Sequence, residues 1–548
     1  MRTLHPIVER LMKERQIHDP EAFLNPEYDT RPDPFLMKGM DKAVERILLG
    51  VEKGEKIAAW TDYDCDGTPA GALLADFFRM IEYPLRSYIP ERSEGYGLNV
   101  AGIQKLKNEG VSLIVTADCG ITDVEEVAFA KEIGVEVIVS DHHLPQEKLP
   151  DAVAVLNPHR ADCQYPFKEL CGTGVAFKLV EALIQKGDFK LAEGQEKWLL
   201  DLVALATVAD MVQLSGENRT LVHFGLVVMR KGRRKGLRAL LEKMRIPLSS
   251  VTEDDISFSI APKINAASRM ESPSLGLELL VTEDAKRAEE LAKKLVDLND
   301  ARKLEGARVS KEVKRRLEGM PLPDVIVLGN SEWNPALLGI AATGVVETYQ
   351  KTVCLWGRDG DLIKGSCRSN GTVNIVSLMS RAPDVFEDFG GHESSGGFSL
   401  KAEAIHTLPQ VLEAAYVEAK TEMVVEVTRE TDGTLTLSEA NAALYAALRT
   451  LAPFGVGNKK PIFAFHSVRV EKMAWFGKHN EHAKVVVSEG DGKVLEAVSF
   501  FANRSSFRDT LELLSSGDRV SLNASLEESY FGGRKELRLR IQHITLGV

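Results

Sequence analysis

Asp62, Asp64 and Asp66 recur at every second residue directly after the apolar run Ile57–Trp60. In an extended chain that spacing points the three carboxylates to one side. Asp118 follows a second apolar run, Leu113–Ala117, and the triplet Asp141-His142-His143 follows a third, Val135–Ser140. Like charges crowded into one crevice shift one another's pKa upward, and divalent cations remove that penalty. Carboxylates with imidazole and no thiolate suit Mn²⁺ or Mg²⁺ better than structural zinc. Two such ions, ~3.5–4 Å apart, activate a water and clamp the attacking and leaving oxygens of a phosphoryl transfer. A single Asp after a strand is more often a helix N-cap than a ligand, so the expectation rests on several acids meeting. A calcium loop is excluded, because Leu73 stands where the Asp-x-Asp-x-Asp-Gly pattern requires a glutamate.

The apolar runs Ile57–Trp60, Leu113–Ala117, Val135–Ser140 and Ala152–Leu156 alternate with helical patterns over Pro69–Ile81, Ala101–Glu109 and Val124–Ile133. Such alternation predicts a doubly wound α/β domain with a mainly parallel sheet. The C-terminal ends of its strands share one edge, where ligands bind, so the acidic elements are expected to converge there. Gly67 permits a tight turn into a helix that begins near Pro69, a favoured first helical residue. Helical patterns follow over Trp198–Val212 and Leu221–Arg245, and a long charged helix over Ala285 to about Glu318 carries a stripe of Leu291, Leu295 and Leu298. A second α/β unit starts at Asp324, with strands Val325–Gly329 and Thr352–Trp356. Beyond Tyr416, runs at Ala483–Val487, Val494–Phe500, Arg519–Leu526 and Glu536–Ile541 predict a small antiparallel barrel. The expected domains are an N-terminal extension (1–50), a catalytic domain (51–275), a connecting helix (276–320), a second α/β domain (321–415) and a barrel (416–548).

With 548 residues, 44% hydrophobic and 27% charged, the chain has the composition of a globular protein of several domains. Met1 to Gln16 has no apolar signal segment, and no apolar stretch reaches the ~18–20 residues of a membrane span. The 6 cysteines form neither a zinc pattern nor a disulfide framework, which fits a reducing cytoplasm. A net charge of −12 is opposite to the basic footprint of a nucleic-acid binder. A polyanionic substrate would therefore need a local basic track. The run Arg230, Lys231, Arg233, Arg234, Lys235 and Arg238 reads first as a solvated surface.

Thr61-Asp62-Tyr63-Asp64-Cys65-Asp66-Gly67, Ala117-Asp118-Cys119-Gly120, Asp141-His142-His143 and Val208-Ala209-Asp210 resemble the successive motifs of the DHH phosphoesterases. More closely, the chain resembles the bacterial RecJ single-stranded-DNA exonucleases over nearly its whole length. Glu94-Gly95-Tyr96-Gly97-Leu98, Gly172-Thr173-Gly174-Val175-Ala176-Phe177, Pro262-Lys263-Ile264-Asn265-Ala266-Ala267, Gly390-Gly391-His392 and Pro453-Phe454-Gly455-Val456-Gly457-Asn458 stand in family order. The resemblance implies a DHH domain, a connecting helix, a DHH-associated domain and a C-terminal OB fold. It also implies two divalent ions, Mn²⁺ or Mg²⁺, and stepwise release of mononucleotides from 5′ ends of single-stranded DNA in repair and recombination. Asp62, Asp64, Asp66, Asp118, His142 and Asp210 are then the expected metal site, with Asp62 a ligand or an outer acid. Asp62, Asp118 and His143 are expected to be catalytic, His143 through the scissile phosphate or proton transfer.

Arg269 corresponds to the family arginine near the 5′ phosphate, a role its guanidinium fork suits. Asn265, Ser366, Arg368, Ser369 and the glycine-flanked His392 complete the expected substrate contacts. A single-strand track on the barrel would pair aromatic platforms with basic residues. Among the aromatic candidates Phe454, Trp475, Tyr530 and Phe531 and the basic candidates Lys478, Arg534, Arg538 and Arg540, the favoured set is Tyr530, Phe531, Arg534, Arg538 and Arg540. The implied partners are single-stranded DNA, a single-stranded-DNA-binding protein and a helicase, with the chain acting as a monomer. Trp60-Thr61, Ser268, Asn334, Cys367 and Glu393-Ser394-Ser395 depart from the family pattern, and none of them is an expected metal ligand. Two other readings fit the motifs: a DHH phosphodiesterase of cyclic dinucleotides or short oligonucleotides, and a DNA-binding scaffold without catalysis.

Overall fold

The apolar runs become β1 (Lys56–Thr61), β2 (Leu85–Tyr88), β3 (Val111–Ala117), β4 (Glu136–Ser140) and β5 (Ala154–Leu156). Their order is β2-β1-β3-β4-β5, and every neighbouring pair is parallel. The computed structural model describes residues 4–360, 362–391, 393–420, 431–477, 480–490, 492–531 and 534–547, without the side chains of Tyr530, Phe531, Arg534 and Lys535. Strand residues alternate between two cores, as the pleat requires. Ile57, Ala59, Leu113, Val115 and Ile138 pack with the helices Gly67–Met80, Gly172–Lys186 and Leu200–Ala209. Ala58, Trp60, Ile114, Val137 and Val139 pack with the helices Val100–Asn108 and Val124–Glu132. Apolar residues at successive positions are thus buried on both faces, and the expected double winding is present. β2 carried no apolar run, because it is a short edge strand with only Tyr88 fully buried.

This strand order fixes where a ligand sits. From β1 the chain first crosses to β2 on one side and then to β3 on the other. The crevice at the C-terminal ends of β1 and β3 is the switch point of the sheet, and Asp62–Asp66 and Asp118 lie there. Trp60 belongs to the opposite core: it stacks on Tyr88 with ring centroids 4.3 Å apart and donates from Nε1 to the Gly97 carbonyl at 3.1 Å. A Cβ at Gly102 would lie 2.3 Å from the Trp60 ring, so glycine there makes room for the indole.

The basic run is not simply a solvated surface. It bridges two helices, Gly216–Arg230 and Lys235–Lys243, and within it the Arg234 side chain is only 9% exposed. Arg234 donates to Asp201 at 2.8 and 3.1 Å, to Asp76 at 2.8 Å and to the Leu280 carbonyl at 2.6 Å. Burial opposes its charge, but Asp201 and Asp76 outweigh that and hold the guanidinium above its ordinary range. Those acids sit on other helices, invisible to a reading of local charge.

The helix Ala285–Leu317 carries the chain onward, with Leu291 and Leu295 buried and Leu298 half-buried. The boundary between two compact units falls inside it, after Asp300. In the second unit β6 (Val325–Gly329), β7 (Thr352–Asp359), β8 (Leu362–Arg368), β9 (Asp388–Gly391) and β10 (Ser395–Leu400) lie in the order β6-β7-β8-β10-β9. Only β6 and β7 are parallel; the other pairs run antiparallel. Cys354 and Cys367 face each other across β7 and β8 and form a disulfide, which the cysteine spacing gave no reason to expect. The hairpin register brings them together. Asn334 accepts from the Ala336 N–H at 3.0 Å and caps the helix Pro335–Tyr349.

The barrel comprises β11 (Phe463–Phe476), β12 (His482–Ser488), β13 (Val494–Ser499), β14 (Arg519–Phe531) and β15 (Arg534–Leu546), closed as β11-β12-β13-β15-β14. It is not wholly antiparallel, because β13 and β15 pair parallel. A ring with an odd number of strands cannot alternate direction throughout. Thr450–Lys459 clusters instead with the first unit. There the Leu214 N–H donates to the Val456 carbonyl at 2.7 Å and the Phe454 N–H to Glu253 at 3.1 Å. Phe454, a candidate for stacking on a strand, is 7% exposed and belongs to that packing.

Candidate metal centre

β1 ends at Thr61 and the chain doubles back at once. A Cβ at Gly67 would lie 2.4 Å from the Asp62 carbonyl oxygen, so the turn requires glycine. Asp64 Oδ1 accepts from the N–H groups of Asp66 at 2.7 Å and Gly67 at 3.1 Å, at the start of the helix Gly67–Met80. Asp66 accepts from the Gly172 N–H at 2.6 Å and the Thr173 N–H at 2.7 Å, at the start of the helix Gly172–Lys186. Each carboxylate oxygen has two lone pairs, so these amides orient the acids without exhausting them. Asp118 adopts a left-handed φ of +66° while its N–H donates to the Ser140 carbonyl at 3.0 Å. Such strain, about 1–3 kcal/mol, is typical of functional sites. A Cβ on Gly172 would lie 2.5 Å from the Asp118 Cβ, so this close approach also depends on glycine.

The structure brings all six expected ligands together. Donor atoms of Asp62, Asp64 and Asp118 lie within 4.8 Å of one another, as do those of Asp66, His142 and Asp210 and those of Asp118, His142 and His143. His142 Nε2 is 3.2 Å from Asp118 Oδ1 and 3.7 Å from both Asp66 Oδ2 and Asp210 Oδ2. Burial lowers the His142 pKa, which leaves the imidazole neutral with a lone pair to donate. Burial first, and neighbouring carboxylates second, hold Asp62 and Asp118 well above the usual carboxylate range and push Asp210 up to about 8. Asp62 Oδ1 and Asp118 Oδ1 are buried and accept no hydrogen bond among the described residues. Buried oxygens of that kind demand a partner, and divalent cations meet the demand. Burial pushes the thiols of Cys65, Cys119 and Cys171 up, so they stay protonated and the donor set remains carboxylate and imidazole.

Asp141 serves the loop rather than the cations. It accepts from the N–H groups of Ile121 at 2.9 Å, His142 at 2.7 Å and His143 at 3.1 Å, and its Oδ1 lies 2.8 Å from His143 Nδ1. Burial opposes protonation of His143, but the Asp141 contact prevails and raises its pKa to about 9. An imidazolium therefore borders the crevice at neutral pH. The Tyr96 hydroxyl, to which the sequence assigned no role, donates to the Asp118 carbonyl at 3.1 Å and lies 3.1 Å from His143 Nδ1. Tyr96→Phe is expected to slow phosphodiester hydrolysis about 2- to 10-fold, the worth of one hydrogen bond. Single-turnover kinetics would measure it, and an unchanged rate would remove Tyr96 from the site.

Arg92 was also missed. Its guanidinium lies 4.3 Å from the centroid of the Tyr63 ring, and its Nε donates to Ser268 Oγ at 3.4 Å. Ser268, one of the departures from the family pattern, therefore holds Arg92. Arg269 acts on the same Tyr63 hydroxyl electrostatically, so two guanidinium groups border the acids. Asn265 lies one turn before Arg269 on the helix Ala261–Met270. In the second unit, Arg368 donates to Ser366 Oγ at 2.9 Å and to the Cys367 carbonyl at 2.7 Å. A Cβ on Gly339 would lie 2.4 Å from Arg368 Nη2, so glycine admits the guanidinium against the helix. Ser369 closes its own turn, donating to the Val373 carbonyl at 2.6 Å and accepting from the Gly371 N–H at 3.0 Å. His392 lies outside the described residues.

On the barrel, the guanidinium carbons of Arg540 and Arg538 lie 4.1 and 5.4 Å from the Phe500 centroid. Phe500 also contacts His482 at 5.2 Å and Phe476 at 6.1 Å. The sequence marked both arginines but not this ring, which ends an alternating run at Phe500-Phe501. Lys478 and the side chains of Tyr530, Phe531 and Arg534 lie outside the described residues, and Trp475 is half-buried.

Three family models match in order: the DHH family, N-terminal domain at residues 56–207, the DHHA1 domain at 323–418 and the RecJ OB domain at 431–543. The chain is 33% identical over 544 residues to the single-stranded-DNA-specific exonuclease RecJ of Bacillus subtilis, covering 98% of this chain and 67% of that one. It is 31% identical to the Haemophilus influenzae protein of the same name, covering 98% and 96%. Among solved structures, RecJ in complex with Mn²⁺ from Thermus thermophilus aligns with a TM-score of 0.81 at 26% identity, covering 99% of this chain and 76% of that one. An exonuclease RecJ bound to manganese aligns with a TM-score of 0.61 at 30% identity, covering 71% and 97%.

Proposed function

Since this chain belongs to the RecJ family of DHH proteins, we propose that it is a metal-dependent exonuclease that releases mononucleotides from the 5′ ends of single-stranded DNA. One observation carries the reading: buried acids converge on the switch point of the sheet with two carboxylate oxygens that accept no hydrogen bond among the described residues and a neutral imidazole among them. Asp62, Asp64, Asp66, Asp118, His142 and Asp210 would hold two divalent ions, Mn²⁺ or Mg²⁺. When bound, such ions activate a water and neutralise charge on the attacking and leaving oxygens.

The chain's own residues supply the rest. The His143 imidazolium, fixed by Asp141 and Tyr96, donates toward the phosphate and can pass a proton to the leaving oxygen. Arg92 and Arg269 bind the terminal phosphate, where paired guanidinium groups favour a dianion over an internal monoanion. That preference supports attack from the phosphorylated end. Asn265, Ser366, Arg368, Ser369 and His392 complete the substrate contacts in this reading. Arg538 and Arg540 with Phe500 hold the strand on the barrel. The proposal includes action as a monomer in the cytoplasm, in DNA repair and recombination, beside a single-stranded-DNA-binding protein and a helicase. No described helix is long and apolar enough to cross a membrane.

Digestion of strands labelled separately at each end tests the reading. A 5′ label should appear first in mononucleotide while a 3′ label stays in long products. Chelation should stop the reaction, and Mn²⁺ or Mg²⁺ should restore it. Activity confined to dinucleotides, or release of the 3′ label first, would overturn it.

A further inference from the structure

Phe501 combines two features that seldom occur together. Its backbone is left-handed, with φ +54°, yet the residue is 57% exposed. A bulky residue is an outlier in that region, and such strain persists where surroundings enforce it and function uses it. Here the Phe501 N–H donates to His482 Nδ1 at 3.0 Å, and the two rings meet edge-on at 5.0 Å. The same imidazole contacts Phe500, which carries Arg540.

On its other side Phe501 leads away from the barrel. The Arg504 guanidinium lies 5.8 Å from its centroid. A Cβ on Gly344 would lie 4.0 Å from Arg504 Nη1 and 3.7 Å from Ser310 Oγ, so the arginine reaches Gly344 on the helix Pro335–Tyr349, where Ser310 of the helix Ala285–Leu317 also packs. Lys314 stands one turn beyond Ser310 on the same face. Arg508 is engaged by Glu512 at 2.7 Å. Lys314 and the Arg504 side chain make no hydrogen bond or ion pair among the described residues. Burial, with the charges of Arg504 and Arg508 beside it, pushes the Lys314 ammonium below the ordinary lysine range. Two cations, Lys314 and Arg504, neither ion-paired among the described residues, favour an anion.

We propose that Phe501, Arg504 and Lys314 form a second platform for single-stranded nucleic acid, extending the strand path from the barrel onto the long helix. The inference rests on the single-strand nuclease reading above. The order Arg540, Phe500, His482, Phe501, Arg504, Lys314 sets three rings between cations, so bases can stack on the rings while phosphates meet the cations at either end. An acidic peptide would engage the cations without using the strained, exposed ring.

Binding of a ladder of strand lengths to the full chain, held inactive by Asp118→Asn, tests this. Lys314→Ala with Arg504→Ala should leave short strands bound as before. For long strands it should flatten the plot of log affinity against log salt by roughly 1.4, about 0.7 per lost phosphate contact. Phe501→Ala should weaken long strands roughly 5- to 100-fold. Lys314→Arg with Arg504→Lys should restore the salt slope, which a merely misfolded surface would not allow. Unchanged long-strand affinity and slope would overturn the platform while leaving the barrel track intact. So would competition by polyglutamate through Lys314 and Arg504 with no effect of Phe501→Ala, which assigns the cations to an acidic protein. A wild-type chain that binds no strand of any length would instead bring down the nuclease reading itself.

Discussion

Asp118→Ala should reduce hydrolysis of single-stranded DNA by on the order of a thousandfold or more, since metal charge stabilisation supplies several kcal/mol at about 1.4 kcal/mol per tenfold. Strand binding on the barrel should survive. Asp118 belongs to two of the three donor groups, so its loss disturbs both cation positions. Its left-handed backbone complicates alanine, which that region disfavours, and Asp118→Asn is the cleaner partner because asparagine tolerates it. Asn should abolish turnover as Ala does. It should also raise the melting temperature of the metal-free protein, because it removes a buried carboxyl crowded by Asp66, Asp64 and Asp62. Loss of activity with gain of apo stability separates a ligand from a packing residue. Unchanged turnover in either variant would refute the metal-site assignment.

Arg234→Met should cost about 3–5 kcal/mol, the usual consequence of stranding buried charges. Asp201 would then remain in the interior without a cation and Asp76 with only the half-exposed Arg79, at side-chain exposures of 5% and 6%. The first thermal transition should fall by on the order of 10 °C. Replacing Asp76 and Asp201 by Leu in the same chain should recover part of that loss, since removing a whole buried pair is far cheaper than halving it. A shift of only a degree or two would mean that the network behaves like an exposed ion pair.

The candidate metal centre was legible in the chain because its acids and imidazole follow apolar runs that must be strands. Parallel strands share one C-terminal edge, so Asp62–Asp66, Asp118 and His142 had to meet there. Asp210 was legible through the motif Val208-Ala209-Asp210, since it ends a helix rather than a strand. Arg92 was not, and Tyr96 was legible only as a position in the motif Glu94–Leu98 without a role, because each gains its role from residues far along the chain. Tyr96 finds His143, 47 positions away, and Arg92 finds Ser268, 176 positions away. The departures Trp60, Ser268, Asn334 and Cys367 have structural partners that no local pattern announces: Tyr88 and Gly97, Arg92, the start of a helix, and Cys354.

By itself, the sequence determined the strand and helix periods, the acids at the strand ends and therefore the chemistry of the crevice, because these depend on spacing along one chain. Tertiary structure alone decided three further things. It turned Arg234 inward to acids on other helices, required one parallel pair to close an odd-numbered barrel, and set Phe500 and Phe501 beside His482, Arg540 and Arg504. Each depends on which distant segments come into contact, and that is set by burial and strand register rather than by neighbouring residues.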